Sequence, residues 1–121
     1  VIQGSFLPDE KLPTIPVTVV FGQAVLSLDF ILDTGFSGDL KISERTANDL
    51  GIVAQTATYI VNASGESVPV GVAQGYAEME GRKAPITINI TNGPYLAGIG
   101  LFSVFGYKAV VDCKNRSAYL E

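Results

Sequence analysis

Asp33 is the residue through which this chain could do chemistry. It follows an apolar run, Leu28, Phe30, Ile31 and Leu32, and leads into Thr34, Gly35, Phe36, Ser37 and Gly38. A carboxylate at the end of a buried strand is costly to desolvate unless it is paired, hydrogen-bonded or protonated. The hydroxyl and two glycines after it suit a tight loop that another group can approach closely. The chain has no histidine. That removes Ser-His and Cys-His catalysis, His-ligated zinc and the commonest general base. Proton transfers near neutral pH would fall to carboxylates, Lys or Tyr, and a paired-carboxylate mechanism passes that filter.

The elements that must hold Asp33 read as short strands. Val1 to Phe6 suits an edge strand, and Leu7 to Pro13, with Pro8 and Asp9, a loop. Thr14 to Phe21 is rich in β-branched residues, and Gly22-Gln23 turns it into Ala24 to Leu32. Asp39 to Ile42 is a further short strand. Ser43 to Leu50 is the clearest helix, with Ser43 as N-cap, Glu44 at the positive end and Gly51 at C′. Ala57 to Asn62 and Glu66 to Met79 form strands around Asn62-Ala63-Ser64-Gly65, and a second turn falls at Glu80-Gly81-Arg82. Ala84 to Ile90 alternates as a strand, Tyr95 to Ala97 is a short one, and Ile99 to Phe105 suits a short helix. Tyr107 to Asp112 and Ser117 to Leu120 close the chain as a hairpin. The expected fold is all-β and barrel-like, with one or two small helices.

Composition agrees. The 121 residues suffice for one domain spanning 1–121, and neither a linker nor a boundary interrupts them. A hydrophobic fraction of 47% with 17% charged residues describes an ordered chain. A net charge of −4 argues against nucleic acid as a partner. No apolar run is long enough for a membrane span, and no signal pattern opens the chain. With Cys113 as the single cysteine, an internal disulfide is excluded, and the cytoplasm is the expected compartment.

Apolar-apolar-Asp-Thr-Gly resembles the catalytic loop of the aspartic proteases and, in so short a chain, their retropepsin-like branch. The hairpin at Asn62, Ala63, Ser64 and Gly65 stands where that family has its flap. Leu96-Ala97-Gly98 before a short helix resembles the second motif, in which Gly98 would let one backbone pass close behind the Asp33 loop. The resemblance runs from about Thr14 to Leu120 and implies a closed acid-protease β-barrel without cofactor or metal. Departures are visible. The position after the Asp-Thr-Gly is commonly Ala or Ser and here is Phe36, whose bulk would narrow a cleft. Retroviral members pair an acid with an Arg at the positions of Ser37 and Ile99, so both halves of that ion pair are missing together. The flap carries one glycine, Gly65. Single-domain cellular and prokaryotic relatives match better.

The resemblance also implies that two carboxylates share one proton, one taking a proton from water and the other protonating the scissile carbonyl. Asp29 alternates to the other side of its strand, and Asp112 lacks a following Thr-Gly. The second acid is therefore expected from Asp33 of a second copy across a two-fold axis. By resemblance, Thr34 would bond across that axis, Gly35 would contact the substrate backbone, and Phe36, Ser37 and the flap residues would line the cleft. The expected function is a homodimeric aspartic endopeptidase acting on peptides or proteins. The alternative is an inactive dimerisation or peptide-binding module on the same fold. Ordinary structural readings stand beside these: Asp33 and Gly98 as turn residues, Tyr59 and Tyr95 as core or edge aromatics, Phe102 and Phe105 as core, Asp112 as a solvated hairpin acid, and Cys113 as a small buried or edge hydrophobe.

Overall fold

A computed structural model describes residues 1–6, 12–61 and 64–121. The expected loop over 7–11, and Asn62 and Ala63 of the hairpin turn, lie outside the described residues. In chain order the elements are β1 (Ile2–Gln3), β2 (Thr14–Phe21), β3 (Ala24–Leu32), β4 (Leu40–Ile42), α1 (Glu44–Leu50), β5 (Thr56–Val61), β6 (Ser67–Met79), β7 (Arg82–Ile90), β8 (Leu96–Ala97), α2 (Ile99–Phe105), β9 (Ala109–Asp112) and β10 (Ser117–Leu120). Among the described residues, no helix is long and apolar enough to cross a membrane.

Seven strands pair in the order β2-β3-β8-β4-β7-β6-β5, and a further pairing between β2 and β6 closes six of them into a ring. Strand β6 makes this possible. One edge follows β7 from Gly71 to Met79, while the other pairs with β5 from Ser67 to Val72 and with β2 from Tyr76 to Glu78. Thus β5 hangs outside the ring. A second small sheet, β1-β10-β9, joins the two chain ends.

The core follows the two-residue side-chain period of strands. On β2, Ile15, Val17 and Val19 are buried, while Pro16 between them faces out. Across the ring, Leu32, Ala97, Leu40, Ile88 and Ala73 stand abreast on adjacent strands, and all five are buried. Leu101, Phe102 and Phe105 of α2 pack onto this cluster. All six residues of β5, by contrast, are exposed.

Local chemistry sets the element ends. Ser43 Oγ accepts from Thr46 N at 3.2 Å, and Gly51 takes the left-handed conformation at the end of α1. Tyr95 shares a hydrogen bond with Thr46 Oγ1 and sits 5.8 Å from Phe30, so it fastens α1 to the segment before β8. The two-residue turn Glu80-Gly81 has both residues at positive φ, the hairpin geometry that matches strand twist. The expected edge strand over Val1–Phe6 is shorter, with β1 covering two residues and Ser5 bridging Thr14. Cys113 is not the buried or edge hydrophobe that was expected. It is exposed, because it falls in the four-residue turn between β9 and β10.

Candidate active site

Asp33 leaves the ring between two neighbours that fix its backbone. Strand β3 runs parallel to β8, with Ile31 opposite Leu96 and Leu32 opposite Ala97. The ladder continues one step further, since Asp33 N donates to Ala97 O at 2.9 Å. Beyond that point the chain turns on itself. Gly35 N donates to Asp33 Oδ1 at 2.9 Å, and Phe36 N donates to Asp33 O at 3.2 Å. The carboxylate is half-buried, while Thr34 and Gly35 are exposed. Its other oxygen has no hydrogen-bond partner among the described residues.

The loop after Asp33 is held by α2. The first N–H groups of a helix have no partner within it, and this helix has no capping side chain because its N-cap is Gly98. The loop supplies carbonyls instead. Gly98 N donates to Asp39 O at 3.0 Å, Ile99 N to Phe36 O at 2.9 Å and Gly100 N to Gly38 O at 3.0 Å. This approach leaves no room for side chains. A Cβ on Gly98 would lie 2.4 Å from the carbonyl oxygens of both Phe36 and Gly38, and one on Gly100 would lie 2.1 Å from Asp39 Oδ1. Asp39 completes the fixture, its Oδ2 accepting from Thr87 N of β7 at 2.8 Å. Gly98 thus has the close-passage geometry expected of it. Gly100 and Asp39 were not anticipated.

Beside this loop opens a cleft of ≈ 450 Å³, floored by the ring and overhung by β5. Gly35, Phe36 and Ser37 form one wall; Ile60 and Val61 of β5 and Val70 of β6 form the other. Phe36 is half-buried, with its ring across Gly38 and Gly98 and one face on the cleft. Asp33 itself is not among the lining residues. Ser64 and Gly65 sit at the hairpin end, where Gly65 has a φ of 85°, and they do not line the cleft. From the strand before it, Ile60 and Val61 line the cleft with Gly35, Phe36 and Ser37.

No family model matches the chain, and no curated protein does. Solved structures do. EIAV protease complexed with the inhibitor HBY-793 matches with a TM-score of 0.65 at 19% identity, covering 88% of this chain and 99% of that one. A retropepsin-like aspartic protease from Rickettsia conorii matches with a TM-score of 0.66 at 19% identity, covering 99% of this chain and 88% of that one. The fold is that of the retropepsin-like aspartic proteases. This agrees with the all-β, barrel-like fold with one or two small helices expected from the sequence, realised as a ring of strands with two short helices.

Within the retropepsin-like fold the other acids have separate duties. Asp29 is exposed on β3. Asp112 accepts from Asn115 N and Nδ2 at 3.0 and 2.8 Å, bonds that hold its carboxyl below the usual range and mark it as a turn residue. Glu80 is likewise held low, first by the hydroxyl of Tyr107 and then by the amino group of Val1. Among the described residues, no cluster of His, Cys, Asp and Glu could hold a metal. The sequence reading passed over Lys41 of β4, which lines the cleft although only 9% of it is exposed. A lysine in a three-residue strand gives little sign that its outward face is covered.

Proposed function

We propose that the chain is an aspartic endopeptidase active as a homodimer, with Asp33 of each copy forming one half of the catalytic dyad. The observation that carries this reading is the Asp33 loop. A half-buried carboxylate, one oxygen of which is unpaired among the described residues, stands on backbone fixed from two sides, next to a cleft of about 450 Å³. Fixing an acid so firmly serves chemistry that needs it in one place.

In the dimer the two carboxylates share one proton, since two so close cannot both ionise. The ionised member takes a proton from a water, whose oxygen attacks the scissile carbonyl carbon. The protonated member gives its proton to the carbonyl oxygen, leaving a neutral gem-diol. In the second step the gem-diol returns a hydroxyl proton to one carboxylate. The amide nitrogen takes a proton from the dyad, and the C–N bond breaks. Thr34, exposed in a single chain, would brace the two loops against each other. Gly35 would leave room for the substrate backbone, and Phe36 and Ser37 with the β5–β6 hairpin, including Asn62, Ala63, Ser64 and Gly65, would enclose it.

Asp33→Asn tests the reading. The amide is nearly isosteric but cannot act as the base, so cleavage of an unfolded protein should fall by ~10²–10⁴-fold or more while the fold persists. Removing like charges from the axis should leave the dimer as stable or more so. Sedimentation at micromolar concentration should show a dimer. Undiminished activity of the purified variant, or a strict monomer at every concentration, would overturn the proposal. A dimer that binds peptide and never cleaves would mark the chain as a binding module.

A further inference from the structure

Lys41 ties the 92–94 turn to β4 through one hydrogen bond, which uses only part of its donor capacity. The row abreast on the outer face of the ring runs Ile31, Leu96, Lys41, Asn89 and Val72, one residue along from the buried core row. Lys41 is in the middle. It is nearly covered, its Nζ donates one hydrogen bond, to Pro94 O at 2.8 Å, and among the described residues no carboxylate pairs with it. An ammonium has three donors, so two have no partner among the described residues. A covered charge without a counter-ion is costly, and burial pushes the pKa of Lys41 below the ordinary lysine value. The Asn92-Gly93-Pro94 turn closes around it, so tightly that a Cβ on Gly93 would lie 2.9 Å from Nζ.

Its neighbours are donors as well. Asn89, directly opposite Lys41 on β7, and Thr91 line the same cleft. Neither side chain makes a hydrogen bond to the described residues. An ammonium, an amide and a hydroxyl on one apolar-walled cleft are what a carboxylate would use, whereas a substrate cation would meet repulsion.

We infer that this cleft contains a subsite for an acidic side chain, in which Lys41 receives a glutamate or aspartate of the bound peptide with help from Asn89 and Thr91. The inference rests on the endopeptidase reading and names its substrate class: peptides with an acid near the cut bond. Lys41 is a specificity-determining residue and takes no part in bond breaking.

The experiment uses the full chain and a pool of octapeptides made in two versions, with glutamate or with glutamine at each position in turn. Cleavage is scored with the wild type, and binding is scored by calorimetry with Asp33→Asn. At one position near the cut, glutamate should be favoured over glutamine by about ten- to a hundredfold in kcat/KM, the range expected of a hydrogen bond to a charged group. The ratio should fall to near one in Lys41→Met and be largely retained in Lys41→Arg. Cleavage without a glutamate preference at any position would overturn the inference and leave the endopeptidase reading standing, as would a preference that survives Lys41→Met. Binding with a glutamate preference but no cleavage would support the subsite and remove the protease. If Lys41→Met fails to fold, the wild-type ratio and Lys41→Arg still decide. No binding and no cleavage of any member would overturn both.

Discussion

The Asp33 loop and the β5–β6 hairpin face each other across one cleft and are built in opposite ways. The loop has few side chains of its own to bury, yet its carbonyls cap α2, its first amide extends the β3–β8 ladder and Asp39 fixes its far end. The hairpin has a regular ladder of six residue pairs, but every residue of β5 is exposed and on the β6 arm beyond the ring Val70 alone is buried. Ladder hydrogen bonds alone contribute little net stability, because water offers the same bonds to the open strand. What separates the two is attachment: the loop is bonded to β8, α2 and β7, elements that carry the buried core, whereas β5 is bonded to β6 alone. One wall of the cleft is therefore the more firmly held of the two.

The sharpest way to break this comparison is at its glycines. Gly98→Ala puts a methyl 2.4 Å from two carbonyl oxygens of backbone that cannot retreat. It should cost about 3 kcal/mol or more in urea unfolding and remove activity. Gly65→Ala meets nothing within 4 Å and carries only the strain of its positive φ, so it should cost about 1 kcal/mol. Equal losses would mean that the two walls are equally rigid.

Phe36 lies between these regimes, with its ring on both the glycines and the cleft. Phe36→Ala should broaden the peptides accepted, shifting discrimination by ~1–3 kcal/mol in a cleavage profile. The stability loss should be smaller, since the ring is only half-buried. Unchanged selectivity with a large fall in Tm would assign the ring to the fold alone.

On the hairpin, Val61→Ser should change global stability by no more than about 0.5 kcal/mol while raising KM, because Val61 is exposed and lines the cleft. Amide exchange should report β5 opening well before β2 and β3. Protection of β5 equal to that of β2 would contradict the comparison. The smallest effect is alkaline. Lys41 binds its proton less tightly in the folded chain than its ordinary value of 10.5 implies. Between the lowered and the ordinary value the unfolded chain holds more protons, so stability rises with pH there. Relative to Lys41→Met, the wild type should gain stability as pH climbs towards 10.5, measured by urea titration.

Much of this was legible in the sequence because the signals were local. The strands Thr14–Phe21 and Ala24–Leu32, the cap at Ser43, the left-handed Gly51 and the helix Ile99–Phe105 each rest on spacing or on one residue's conformational preference. What escaped was tertiary. Nothing near Asp39 in sequence reveals that its carboxylate caps a β7 amide 48 residues away, or that Gly100 must clear that carboxylate. Lys41 was not singled out, because its cover comes from the distant 92–94 turn. The Asp33 loop rests on its own residues, whereas Ile60 and Val61, which line the wall opposite, carry no local signal of that place.

The pairing of β6 with β7 ends at Gly71, and beyond it the strand is paired with β5 alone. Among the described residues of the two-stranded ribbon that leaves the ring there, Val70 alone is buried, so the other positions can change at little cost to the core. New cleft walls could thus be built through residues 56–61 and 67–69 while the Asp33 loop and its glycines stay fixed. Selectivity and foldability are written on different parts of one strand, and a designer wishing to redirect the cleft would begin on the ribbon side of Gly71.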